Sequence, residues 1–240
     1  MNIKIVADYE TLSREAAAIV ASKIAAGPKT VLALPTGNTP IGMYKQLVRL
    51  YREGKVDLSR VWVFALDEYA RVPASDQHSF SYFLRQHLID PAGLGPRFDH
   101  LRGEAACFET ECRRYEQAIA ARGGLDLAVL GLGVNGHIAF NEPGTSFDSR
   151  THVVDLAAST REANASYFPD GFKIPAQGLT MGIGTILAAK EILLLASGKS
   201  KAAIMAHIMA AEPAPAIPAS ALKTHPRTTW LLDQEAAAGC

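Results

Sequence analysis

Short apolar runs and longer amphipathic stretches alternate along almost the whole chain. Continuous apolar runs predict strands over Ile3–Ala7, Thr30–Leu34 (TVLAL), Val61–Leu66 (VWVFAL), Leu125–Leu130 (LDLAVL), Glu191–Ala196 (EILLLA) and Thr228–Asp233, with a weaker one over Val153–Leu156. Apolar residues at helical spacing predict helices over Thr11–Ala26, Ile41–Arg52, Ser79–Leu88, Glu104–Arg122, Thr180–Ala188 and Lys199–Ala211. The helix ending at Arg122 is closed by Gly123-Gly124. The strands are apolar throughout rather than alternating, which requires burial on both faces. The expected fold is therefore α/β, a single-domain three-layer sandwich whose mainly parallel, doubly wound, Rossmann-like sheet is covered by helices. Residues 1–240 are expected to form that one domain. The Pro-rich run Pro213–Pro218 reads as a stiff loop within it, because only one strand follows.

Bulk composition narrows the class of partner. Lys plus Arg is 24 and Asp plus Glu is 24, so the chain has no broad attraction for nucleic acid or membrane surface. Any anionic ligand has to be held locally. Three cysteines, Cys107, Cys112 and Cys240, form no CxxC or Cys/His cluster and are expected to be free thiols. The N-terminus is too short and polar for a secretory signal, and no apolar run reaches the ~18 residues of a membrane span. A cytoplasmic protein is expected.

In open sheets of this kind ligands bind beyond the carboxyl ends of the strands, and the chemistry-bearing residues collect there. Leu34–Pro40 (LPTGNTP) joins a strand to a helix; Thr36, Gly37, Asn38 and Thr39 offer amides and hydroxyls for a phosphate, or simply a capped turn. Leu66–Ala70 (LDEYA) puts Asp67 and Glu68 at the end of an apolar strand. There a carboxylate is partly desolvated and suited to act as a base, although one of the two could instead cap the next helix. The third loop, GLGVNGHIAFNEPG from Gly131 to Gly144, formally matches GxGxxG. A His and a Glu-Pro stand where a dinucleotide-binding helix should run, and the acidic residue expected after a second strand is missing. Instead the loop carries Asn135, His137, Asn141 and Glu142. His137 can move a proton near neutral pH, and Glu142 can orient its ring. A fourth loop, Ala196–Ala202 (ASGKSKA), places Lys199 and Lys201 at a helix start, where cations are disfavoured unless an anion is near.

Taken together these residues resemble the glucosamine-6-phosphate deaminases, within the larger group of phosphosugar isomerases and 6-phosphogluconolactonases. The resemblance spans essentially the whole chain and also includes Ser149–Val154, Leu179–Leu187 and Ile217–Leu222. It implies conversion of glucosamine 6-phosphate and water to fructose 6-phosphate and ammonia, with no metal or redox cofactor. It implies Asp67 as proton-transfer base and His137 as the ring-opening residue with Asn135 and Glu142 as its partners. Thr36, Gly37, Asn38, Thr39 and Lys201 would form the phosphate site. Two positions depart from the family pattern. Asn135 stands where some members have Asp, and a neutral amide can orient His137 but cannot relay a proton. Ser166 stands where an Arg is common, so either Arg161 or Lys199 compensates or the phosphate is held less tightly, which keeps a galactosamine-6-phosphate deaminase as the alternative. A lactonase-type hydrolase is disfavoured by the Asn141-Glu142-Pro143 ending. The short C-terminal end after the last strand implies a monomer or small oligomer.

Overall fold

The computed structural model describes residues 1–165, 168 and 174–240; Ser166 lies outside the described residues. In chain order the elements are β1 (Asn2–Val6), α1 (Tyr9–Ala25), β2 (Thr30–Leu34), α2 (Ile41–Arg52), β3 (Val61–Ala65), β4 (Asp67–Tyr69), α3 (Phe80–Leu84), β5 (Phe98–Asp99), α4 (Phe108–Ala121), β6 (Leu127–Gly131), β7 (His152–Asp155), α5 (Ala158–Asn164), β8 (Gln177–Thr180), α6 (Ile183–Leu187), β9 (Ile192–Ala196), α7 (Ala202–Ala210) and β10 (Thr228–Asp233). Seven strands pair in the order β1-β10-β9-β6-β2-β3-β5, and every pairing is parallel.

The apolar runs explain this sheet. Alternate residues of one strand point to opposite faces, so each strand feeds two cores. Val31, Ala33, Phe64, Ala128, Leu130, Leu194 and Trp230 pack on one face with Tyr115, Ile186 and Ile208 from α4, α6 and α7. Leu32, Leu34, Val63, Val129, Leu193 and Leu231 pack on the other with Leu12, Val20, Tyr44 and Leu47 from α1 and α2. Each fully buried aliphatic side chain contributes about 1.5–3 kcal/mol, so the two-faced strands dominate the stability of the fold. No helix among the described residues is long and apolar enough to cross a membrane.

Strand order reverses between β2 and β6. From β2 the chain steps outward to β3 and β5; from β6 it steps the other way to β9 and β10. The loops after β2 and β6 therefore diverge and leave a crevice at their carboxyl ends.

Three expectations need correction. The predicted helix Thr180–Ala188 begins only at Ile183, because Gln177–Thr180 is strand β8. The charged helix begins at Phe108 rather than Glu104. The Ser79–Leu88 helix is α-helical only to Leu84 and continues as a π-helical turn over Arg85–Ile89. Unforeseen was a second sheet, antiparallel, in the order β4-β8-β7. It forms because the chain leaves the main sheet at Leu66. Leu66 N–H still bonds Leu34 O at 3.2 Å, while Leu66 O accepts from Met181 N at 2.8 Å. Asp67, paired with Thr180, is the first residue of the new direction.

Candidate active site

A cavity of about 590 Å³ fills the crevice, within the ~300–1,000 Å³ usual for small-ligand sites. The loops after β2, β3, β6 and β9 all reach it, through Thr36–Thr39, Asp67, His137 and Lys201 among others. A surface groove of comparable size, about 570 Å³ beside Lys45, Arg49 and His87, contains none of these loops.

The loop after β2 presents backbone. Gly37 adopts φ +96°, a left-handed turn that disfavours any side chain. None of the N–H groups of Thr36, Gly37, Asn38 and Thr39 has an acceptor among the described residues. Four free amides leading into α2 form a ready anion cradle. Lys201 lines the same cavity from the loop after β9; it is partly buried, has no carboxylate partner among the described residues, and burial pushes its pKa down. Lys199 is exposed and does not line the cavity. Arg161 lies on α5, its Nε buried without an acceptor among the described residues.

The adjacent acids Asp67 and Glu68 separate into two roles. Glu68 accepts from Tyr69 N, Phe80 N, Ser81 N and Ser79 Oγ at 2.7–2.9 Å, so it caps the start of α3. Burial pushes its carboxyl up to about 7, against the pull of those four donors. Asp67 is 6% exposed, lines the cavity, and has no side-chain hydrogen bond among the described residues. Burial first, and the neighbouring Glu68 charge second, raise its pKa well above the carboxylate range. A desolvated, unpartnered carboxylate in a cleft is a strong base when ionised.

His137 is held in one tautomer. Asn135 Nδ2 donates to Glu142 Oε2 at 2.9 Å, so Asn135 Oδ1 faces His137. That oxygen lies 2.7 Å from His137 Nδ1 and 3.1 Å from the His137 backbone N. An amide oxygen only accepts, so Nδ1 carries the proton and Nε2 keeps its lone pair. Thr160 Oγ1 is also near, at 3.3 Å from Nδ1. Glu142 Oε2 lies 3.8 Å from Nδ1 and also accepts from Asn135, so it bears on His137 both by its charge and through Asn135. Glu142 is itself fixed by Ala157 N at 3.2 Å. Burial lowers the imidazole pKa to about 4, with Lys201 adding to the effect and Glu142 opposing it, so the ring is neutral at ordinary pH. The ring rests on Gly133, where an added Cβ would lie 2.3 Å from it.

Packing fixes this loop against the Asp67 strand. Asn141 is fully buried and donates to Ile138 O and Met181 O at 2.9 and 2.8 Å; Phe140 N donates to Thr180 Oγ1 at 3.1 Å. Ala139, between them, is held at φ +49°, a strain of the kind that collects at functional sites. The Pro-rich loop supports the far side, with Ala219 N bonded to Gly136 O and Gly144 N to Pro215 O.

All nine candidate residues expected from the sequence fall in or directly behind the cavity. Missed were Gln77, His78 and Asn164, which line it too. His78 pairs with Asp76 at 2.7 Å, and Asn164 donates to Tyr69 OH at 2.9 Å. A His in the loop that follows LDEYA was the available signal.

An open parallel sheet with a polar cavity at its reversal point defines the class: an α/β enzyme acting on a small molecule. The chain belongs to the family of glucosamine-6-phosphate isomerases and 6-phosphogluconolactonases, whose model matches residues 7–230. It is 48% identical over 238 residues to a glucosamine-6-phosphate deaminase of Shouchella clausii, covering 99% of this chain and 96% of that protein. To one of Bacillus velezensis it is 46% identical over the full length of both. A solved monomeric glucosamine-6-phosphate deaminase superposes over 100% of both chains with TM-score 0.97 at 44% identity. A 6-phosphogluconolactonase of Shewanella baltica shares the fold alone, at TM-score 0.79 and 19% identity.

Proposed function

We propose that this chain is a glucosamine-6-phosphate deaminase, converting glucosamine 6-phosphate and water to fructose 6-phosphate and ammonia. The observation that carries the reading is the presence, in one cavity, of a buried carboxylate without a hydrogen-bond partner among the described residues and a neutral imidazole of fixed tautomer. The substrate phosphate sits on the amides of Thr36 to Thr39 and against Lys201. The Nε2 of His137 takes the proton of the anomeric hydroxyl and returns it to the ring oxygen, which opens the pyranose. While protonated, the imidazolium is supported by Glu142 through Asn135. Asp67 then removes the proton on the carbon bearing nitrogen, next to the new aldehyde. It delivers that proton to the former carbonyl carbon, while a proton passes from the nitrogen to the former carbonyl oxygen, leaving an imine that water hydrolyses to the ketone and ammonia. Each placed proton transfer is worth roughly 10²–10⁴-fold in rate.

Residues 1–240 are read as one domain, since both apolar clusters share one central sheet. The chain is read as a monomer on its likeness to a monomeric relative. The test is ammonia release by purified protein from glucosamine 6-phosphate and from galactosamine 6-phosphate, run beside acid release from a phosphogluconolactone. Turnover of the first substrate above the other two is expected. Faster turnover of galactosamine 6-phosphate, or lactone hydrolysis alone, would replace the reading.

A further inference from the structure

Among the described residues the anion cradle after β2 has one backbone hydrogen bond at its helix end, Ile41 N to Asn38 O at 3.3 Å, and none that fixes Pro35 O. Two tyrosine hydroxyls add to it, one from each helix beside the loop. Tyr44 on α2 is fully buried and its hydroxyl donates to Pro35 O at 2.5 Å. Tyr9, the first residue of α1, donates to Asn38 O at 3.0 Å and accepts from Gly42 N at 2.9 Å. These carbonyls belong to the peptide units that end in Thr36 N–H and Thr39 N–H. In a planar trans peptide unit the N–H points away from the C=O. Holding Pro35 O and Asn38 O on the helix side therefore turns the first and last amides of the cradle toward the cavity. Gly37, at φ +96°, makes the turn between them.

The approach of α1 that this needs is built in. A Cβ at Gly42 would lie 2.0 Å from Ser13 Oγ and 3.1 Å from the Tyr9 hydroxyl. Ser13 Oγ in turn donates to Tyr9 O at 2.8 Å, fixing the first turn of α1.

We propose that Tyr9 and Tyr44 are positioning residues for phosphate recognition, setting the amides of Thr36 and Thr39 by bracing the carbonyls behind them. The inference rests on the phosphate-site reading above. It gives the N-terminal helix, whose remaining surface lies away from the cavity, a part in substrate binding.

The test compares Tyr9→Phe, Tyr44→Phe and Gly42→Ala with Lys201→Met. Three quantities are read for each: KM for glucosamine 6-phosphate, the inhibition constant of inorganic phosphate, and kcat. Tyr9 is 39% exposed, so its Phe variant folds even if Tyr44→Phe or Gly42→Ala does not. Loss of one hydrogen bond is worth about 3- to 10-fold in affinity. Each Phe variant is expected to raise KM and the phosphate inhibition constant together by about that factor, with a smaller change in kcat. Gly42→Ala, which displaces the Tyr9 hydroxyl without removing it, is expected to do the same. A general structural defect would instead lower kcat and leave phosphate inhibition alone. If Lys201→Met weakens phosphate but Tyr9→Phe does not, the brace is overturned and the phosphate site stands. If Lys201→Met leaves phosphate inhibition unchanged, the phosphate site itself is misplaced and the brace falls with it.

Discussion

The loops after β2 and β6 line the same cavity but are built on opposite plans. In Leu34–Pro40 the amides of Thr36 to Thr39 are unpaired among the described residues, and groups outside the loop hold its carbonyls. Gly131–Gly144 satisfies itself: Gly133 N bonds His137 O, Asn135 fixes the His137 ring, and Asn141 ties the loop to Met181. The first arrangement suits binding, since free donors wait for a ligand. The second suits proton transfer, since a relay works only when tautomer and ring angle are fixed beforehand. The difference predicts that damage to the two regions separates kinetically. Changes in the β6 loop or at Asp67 should lower kcat, and changes around the β2 loop should raise KM.

The largest effect is expected from Asp67→Asn, which keeps shape and burial but cannot take a proton. Its kcat for ammonia release should fall by roughly 10²–10⁴-fold, with KM changed far less. Next, Lys201→Met removes the unpaired cation of the cradle. A charge-assisted hydrogen bond is worth about 1.5–3 kcal/mol, so KM should rise about 10- to 100-fold while kcat falls less. A comparable drop in kcat from Lys201→Met would break the separation. Smaller still, Glu142→Gln still accepts from Asn135 but no longer supports the imidazolium. A fall of about tenfold in kcat is expected, at little cost in KM.

The smallest effect concerns stability. Because the pKa of Asp67 is raised in the folded protein, its stabilising contribution is complete only below the unfolded value of about 4. That contribution is lost as pH climbs through the folded value, where the buried carboxylate must ionise. Asp67→Asn never ionises. It should therefore melt a few degrees higher than the parent at pH 8, since about 1 kcal/mol moves Tm by about 2–4 °C in a chain of this size. The gap should close as pH falls toward 4; a gap that widened would mean the carboxylate is stabilised by its site.

How much of this was legible in the sequence followed the physics of each element. Strands such as TVLAL and EILLLA stand out because burial on both faces leaves no polar position in them. Of the β4-β8-β7 sheet only β7 was legible, as the weak strand Val153–Leu156. The members of this sheet are three or four residues long, and only Met181-Gly182 separates Gln177–Thr180 from a short helix. Asp67, His137 and the β2 loop were readable because unusual residue types gather at strand ends. The division of labour between Asp67 and Glu68 was open in the sequence, since it depends on where the start of α3 lands. Glu142 acting through Asn135 was likewise set by a geometry that spacing does not contain. Tyr9 and Tyr44 carried no signal at all. Each sits in an ordinary amphipathic helix, and only the packing of α1 on α2 brings their hydroxyls to the carbonyls of the loop.

The chemistry assigned to Asp67 has a direct isotopic consequence. In the proposed mechanism one buried carboxylate removes hydrogen from carbon 2 and returns it to carbon 1, shielded from solvent. Glucosamine 6-phosphate deuterated at carbon 2, turned over in ordinary water, should give fructose 6-phosphate with part of the deuterium at carbon 1. Product carrying only solvent hydrogen at that carbon would contradict a single shielded base.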